Sequence, residues 1–183
     1  RRFGQLDRRW SGPEFNRLLG KAMAENRDDF ILALYLGRYA GFRIHECFRM
    51  DTAAVEQALR ENALTVKGKG GKVRTVPIED ERILMMLKRV LAQTERGHKL
   101  LVPDGMPTDR SINALELFIY RHRNEISDEG SDRRLTFHGL RHTYAAEKYT
   151  RLTEDGMSAI DAHYAVSRLL GHERADVTNI YLA

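Results

Sequence analysis

Two arginines, a lysine, two histidines and a late tyrosine form the set that a metal-free phosphoryl transfer on DNA would use. Arg43 stands in GFRIHE, Lys69 in KGKGGK, and His138 and Arg141 in HGLRH. His172 and Tyr181 close the series in LLGHERADVTNIY, nine positions apart. A guanidinium presents a planar fork of donors and stays charged at any working pH, so two of them suit a phosphate. A lysine on a glycine-rich turn can reach a groove and donate a proton. No single segment carries this chemistry alone; their number and order do.

Each residue also has a plainer reading. Arg43 follows a glycine that ends one helix and precedes the next, where free backbone N–H groups would help it hold an anion. Glu46, one turn on, can hold it through an i,i+3 contact, and that pair is equally a surface salt bridge. His138 and Arg141 project from one helical face, whereas His142, one residue round, should point elsewhere. His138 could also be a capping or core histidine. His138 and His142 match half of a zinc site, but no glutamate lies between them and no third ligand is signalled. Lys69, with Lys67, Lys72 and Arg74, could be a solvated basic turn; if DNA binds there, Lys72 and Arg74 are expected on backbone phosphates. Tyr181 could be a hydrophobic anchor.

The elements that must position these groups are mostly helical. Ser11 and Glu14 form a capping box with Pro13 in the first turn, so a helix is predicted to about Met23. A second begins near Asp28 and Asp29, carries Phe30, Ile31, Leu34, Tyr35 and Tyr39 at helical spacing, and stops at Gly41. A short helix then carries Arg43, Glu46, Cys47 and Met50. The period changes over Ala63–Ile78, where Leu64 and Val66, then Val73 and Val76, flank GKGG and predict a β-hairpin. Helices are expected over Glu79–Arg96, Ser111–Ile126, His138–Leu152 and Ser158–Leu170, and from Asp176 to the end. Loops are expected at Leu100–Asp109 and across SDEGSDRR. Trp10, the methionines and most remaining aromatics read as core or boundary residues. The fold class is therefore α+β, mostly helical with one small antiparallel hairpin.

The 183 residues, 42% hydrophobic and 31% charged, suit one domain with a substantial core. A net charge of +4 is compatible with a nucleic-acid partner without establishing one. The single cysteine, Cys47, precludes an internal disulfide and fits a reducing cytoplasm. No apolar run approaches a membrane span and no signal peptide is evident, so no membrane partner is expected. The start at Arg1 without methionine suggests a piece of something larger. Acidic residues cluster at helix starts and in loops (Asp28/Asp29, Glu79–Glu81, Asp128/Glu129), which disfavours a two-metal nuclease.

From about Gly41 to Tyr181 the segments, in order, resemble the catalytic domain of the tyrosine recombinase (phage integrase) family. GFRIHE resembles its first-arginine box, GKGGKVRTVPI its lysine hairpin, HGLRHTYA its His-x-x-Arg box, and LLGH followed by Tyr181 its closing motif. The resemblance implies the DNA breaking–rejoining fold, with Arg43, Lys69, His138, Arg141 and His172 as activating residues and Tyr181 as nucleophile. It places residues 1–10 as an entry segment and 11–183 as the catalytic domain, lacking the family's N-terminal core-binding domain and its usual C-terminal extension. On that reading Arg43 and Arg141 neutralise the charge that grows on the phosphate. A phenol titrates near ~10, so His138 must help remove its proton. Lys69 protonates the leaving 5′-oxygen, and His172 binds a nonbridging oxygen. The resulting 3′-phosphotyrosyl bond lets another 5′-hydroxyl reverse the step without metal, ATP or cofactor. The implied function is site-specific integration or excision of a phage or mobile element. A type IB topoisomerase and a DNA-binding module without chemistry are the alternatives. The implied partner is double-stranded DNA, gripped by a homotetramer, the piece alone being compatible with a monomer.

Overall fold

The reciprocal cap predicted at Ser11 forms: Glu14 N–H donates to Ser11 Oγ (3.2 Å) and Ser11 N–H to Glu14 Oε1 (2.8 Å). From it runs α1 (Gly12–Ala24), in a computed structural model that describes residues 7–172 and 175–182. The next helix, α2 (Asp28–Ala40), has Leu32, Ala33, Leu34 and Leu36 fully buried, so the apolar run ILALYL marks a helix enclosed on all sides. It packs against α1 and the later helices over Glu81–Ala92 and Phe137–Glu154. Gly41 ends it at φ +70°, a left-handed conformation that glycine adopts without strain.

Short α3 (Ile44–Arg49) follows, with Arg43 as its N-cap. The sequence pattern assigned no element to the next stretch, yet α4 occupies Thr52–Glu61. Asp51 starts it by accepting from Ala54 N–H (2.9 Å), and Asn62 stops it in a left-handed turn. Its buried apolar stripe is only Val55 and Ala58, too short for periodicity to reveal. The expected hairpin is present as β1 (Ala63–Lys67) and β2 (Val73–Pro77), antiparallel with Leu64 opposite Val76 and Val66 opposite Arg74. A single 3₁₀ turn, Lys69–Gly71, joins them.

Helix α5 covers Glu81–Ala92, shorter at both ends than the predicted Glu79–Arg96. Asp80 caps its start, and the hydroxyl of Thr94 turns back onto the Val90 carbonyl just beyond its end (2.7 Å). Helices α6 (Thr108–Ile126), α7 (Phe137–Glu154), α8 (Ala159–Leu170) and α9 (Ala175–Leu182) complete the described chain. Trp10 belongs to the core. Its backbone N–H donates to Thr143 Oγ1 (2.8 Å) and its indole to the Thr136 carbonyl (2.9 Å), fixing the entry segment to the start of α7. Among the described residues no helix is long and apolar enough to cross a membrane.

Two apolar clusters result. The larger gathers α1 to α6 and the first turn of α7, through Phe137 and Leu140; the smaller joins Tyr144, Ala145, Val166, Leu170 and Tyr181. Helix α7 runs through both, and Arg141 falls at the seam. A charged group there needs polar partners, and the ends of neighbouring helices supply them.

Candidate active site

Arg141 is 0% exposed. A buried guanidinium is stable only if its donors are met. Nη1 donates to the Gly41 carbonyl (2.6 Å) and Nη2 to the Leu170 carbonyl (2.5 Å). Gly41 and Leu170 lie at the C-terminal ends of α2 and α8, so two helix dipoles direct partial negative charge at one cation. Nε is buried without a hydrogen-bond partner among the described residues. Burial, then the neighbouring charge of Arg43, lower Arg141 to about 10, which leaves it charged at neutral pH.

His172 follows the helix-ending Gly171, whose φ of +76° turns the chain back toward α7. Its Nε2 lies 3.3 Å from Arg141 Nη2 and its Nδ1 2.8 Å from Thr178 Oγ1. Arg141 can only donate, so Nε2 accepts, and Nδ1 carries the proton and gives it to Thr178. The Thr178 hydroxyl is in turn in short contact with that of Ser167.

Tyr181 closes the pocket. It is 8% exposed, and its hydroxyl lies 3.1 Å from His138 Nε2. The phenol ring stacks on His142 (centroids 4.3 Å apart, planes at 30°) and stands 5.0 Å from the His172 ring. Arg141 is 5.4 Å from the phenol centroid. The expectation that His142 points elsewhere is therefore overturned. Four residues after His138 it shares that residue's helical face, and the Tyr181 ring rests on it. The i,i+4 spacing of His138 and His142 carries this signal as well as that of half a metal site.

These histidines are held neutral. Burial of the ring against its neighbours first, then the charges of Arg141 and Arg43, lower His138 to about 4, although the residue as a whole is exposed to solvent. Burial first, then the same two arginines, does the same for His172. His142 also falls to about 4, from burial first and then His138, Arg8 and Arg141.

Arg43 caps α3 on the rim. Its N–H donates to Glu46 Oε1 (2.7 Å), and its Nη1 is 3.8 Å from Glu46 Oε2, the predicted i,i+3 contact. The main partner of Glu46 is Arg74, by a two-pronged bond of 2.6 and 3.0 Å. Burial alone would raise the Glu46 carboxyl; the Arg74 fork and the Arg43 N–H bring it below the usual range. Lys69 sits exposed on the hairpin turn. It lines a cleft of about 300 Å³ together with Arg43, Lys72, Arg74 and His172. A second cleft of about 560 Å³ opens from Arg43 and His138 toward α6, where Asn113, Tyr120 and Arg123 line it.

The fold thus joins His138, Arg141, His172 and Tyr181 in one contact network and sets Arg43 and Lys69 at its open side. Thr178, Ser167 and His142 complete it, and the first two had no sequence signal beyond their type. Among the described residues no group of three His, Cys, Asp or Glu could hold a metal.

The chain matches the model of the phage integrase family over residues 13–183. It is 28% identical to the tyrosine recombinase XerD of Pseudomonas putida, over 89% of this chain and 51% of that protein. Its identity to XerD of Xanthomonas campestris pv. campestris is 30%, over 92% of this chain and 57% of that protein. The chain spans about half the length of the curated relatives it matches. Among solved structures, XerA recombinase superposes with a TM-score of 0.70 at 20% identity, covering 98% of this chain and 60% of that one. XerH recombinase bound to palindromic difH substrate superposes with a TM-score of 0.69 at 18% identity, covering 97% of this chain and 49% of that one. These likenesses establish the fold, the family model covers nearly the whole length, and the chain belongs to the phage integrase, or tyrosine recombinase, family.

Proposed function

We propose that this chain, over residues 11–183, is the catalytic domain of a site-specific DNA recombinase acting on double-stranded DNA in the cytoplasm. The observation that carries the reading is the Tyr181 hydroxyl, 3.1 Å from His138 Nε2, on a phenol ring packed against Arg141, His172 and His142. A phenol buried only as an anchor needs neither a base at its hydroxyl nor a cation beside its ring.

Arg43 and Arg141 grip the scissile phosphate and stabilise the charge that grows on it, from positions fixed before the reaction begins. The neutral imidazole of His138 takes the Tyr181 proton as the phenol oxygen attacks phosphorus. The bond from phosphorus to the 5′-oxygen breaks, and Lys69 gives that oxygen its proton. His172 turns Nε2–H toward a nonbridging oxygen. The tautomer change this requires is easy, because Thr178 can donate to Nδ1 as readily as it accepts. A 5′-hydroxyl from another strand then reverses the sequence, releasing the tyrosine without metal or ATP. Strand exchange calls for several copies on DNA, and a homotetramer is the assembly we propose. XerH and the Tn1549 transposon integrase, which share this fold, have been solved bound to DNA.

A nicked suicide duplex bearing the cognate site tests the reading. The expected product is a protein–DNA adduct that survives denaturant, forms in EDTA, and is lost in Tyr181→Phe. An adduct that persists in Tyr181→Phe overturns the assignment. Relaxation of supercoiled plasmid without exchange between sites would instead mark a type IB topoisomerase.

A further inference from the structure

Arg74 lies on β2 in the basic hairpin, where a phosphate contact is the obvious role. Its surroundings argue otherwise. Three of its five N–H donors are committed: Nη1 and Nη2 to the Glu46 carboxylate (2.6 and 3.0 Å), and Nε to the Leu169 carbonyl (2.9 Å). The Arg74 side chain is 8% exposed and that of Glu46 0%. A phosphate that drew Arg74 away would strand a buried carboxylate, and breaking a buried pair on one side is strongly unfavourable.

The same guanidinium joins three parts of the site. Through Glu46 it reaches the cap that holds the Arg43 N–H. Through Leu169 it reaches the last turn of α8, directly before Gly171 and His172. Gly171 lies flat on the Arg74 side chain, where a Cβ would come within 2.9 Å of Cδ. Gly68, the residue before Lys69, also lies near the pair. A Cβ there would sit 3.7 Å from Glu46 Oε2 and 3.8 Å from Arg74 Nη1, so the start of the lysine turn borders the ion pair.

We propose that Arg74, paired with Glu46, is a positioning residue that seats the Lys69 turn over the scissile phosphate, and is not itself a phosphate contact. This rests on Lys69 being the acid for the leaving 5′-oxygen. A duplex whose scissile 5′-oxygen is replaced by sulfur separates the two ideas, because a thiolate leaves without a proton. Single-turnover adduct formation at saturating DNA is measured on oxygen and sulfur substrates, with dissociation constants in parallel. Lys69→Ala is the control for the acid, and its failure to recover on sulfur would sink the role of Lys69 itself.

For Arg74→Gln we expect a loss on the order of 10²-fold on oxygen, the scale of a misplaced catalytic group. On sulfur the rate should return to within about threefold of the wild-type rate, since only proton delivery has been impaired. Arg43→Lys should stay slow on both. The double variant Arg74→Gln/Glu46→Gln, which leaves no buried charge unpaired, repeats the test if the single variant unfolds. Three results would overturn the proposal: equal slowing on both substrates, an unaltered rate on oxygen, or weaker binding with an unaltered rate at saturation.

Discussion

His142 makes the acid sensitivity of the fold predictable. The residue is 5% exposed, stacked on Tyr181, and lowered from the ordinary histidine value to about 4. A base whose folded value lies below its unfolded value is protonated first in the unfolded chain. Its stabilising contribution is therefore complete above pH ~7 and is lost as pH falls from ~6.5 toward ~4. Between about pH 7.5 and about pH 5, the linkage relation gives a loss of about 2 kcal/mol for this one group. That corresponds to roughly 4–8 °C in Tm for a chain of this size. His138 and His172 titrate in the same direction but keep solvent contact, so each should contribute less. In His142→Phe a flat ring still lies under Tyr181 but takes no proton. Urea unfolding followed by circular dichroism should show the variant close to wild type at the higher pH. At the lower pH the variant should be more stable by about 2 kcal/mol. Parallel stability curves for the two proteins would refute a neutral, buried His142.

Three further outcomes follow from the site. Thr178→Val removes the partner of His172 Nδ1 without changing shape, and adduct formation on the suicide duplex should slow about five- to tenfold, the equivalent of about 1 kcal/mol. Gly41→Ala forces a Cβ into a left-handed conformation, 2.5 Å from Tyr144 Cδ1, and should destabilise by more than about 1 kcal/mol in thermal unfolding. Adduct formation should fall with it, because the Gly41 carbonyl holds Arg141. Arg43→Lys should lose on the order of 10²-fold in adduct formation at saturating DNA, since an ammonium cannot make a two-pronged contact.

What the sequence disclosed depended on the physical signal behind each feature. The cap at Ser11, the stop at Gly41 and the turn in GKGG are local backbone requirements, and each lies where its residues predicted. Helix α4 escaped because two buried apolar residues make no periodic stripe. The grouping of Arg141 with His138 and Tyr181 was legible from box order. How Arg141 is held was not, because its partners are backbone carbonyls that any residue could supply. Arg74 shows the opposite limit. Basic type and hairpin position suggested DNA and gave no sign of its partner Glu46, which lies 28 residues away in sequence and becomes evident only when the two are side by side. Thr178 and Ser167 lie close to His172 in sequence, but they are ordinary hydroxyl residues until the turn at Gly171 brings His172 onto Thr178.

The way α9 folds back has a consequence for mixed assemblies. Tyr181 is seated against the histidines and arginine of its own chain. If Tyr181 is the attacking residue, each copy severs only the strand that its own guanidinium groups grip. Partners damaged in different boxes would then be unable to repair one another by sharing parts.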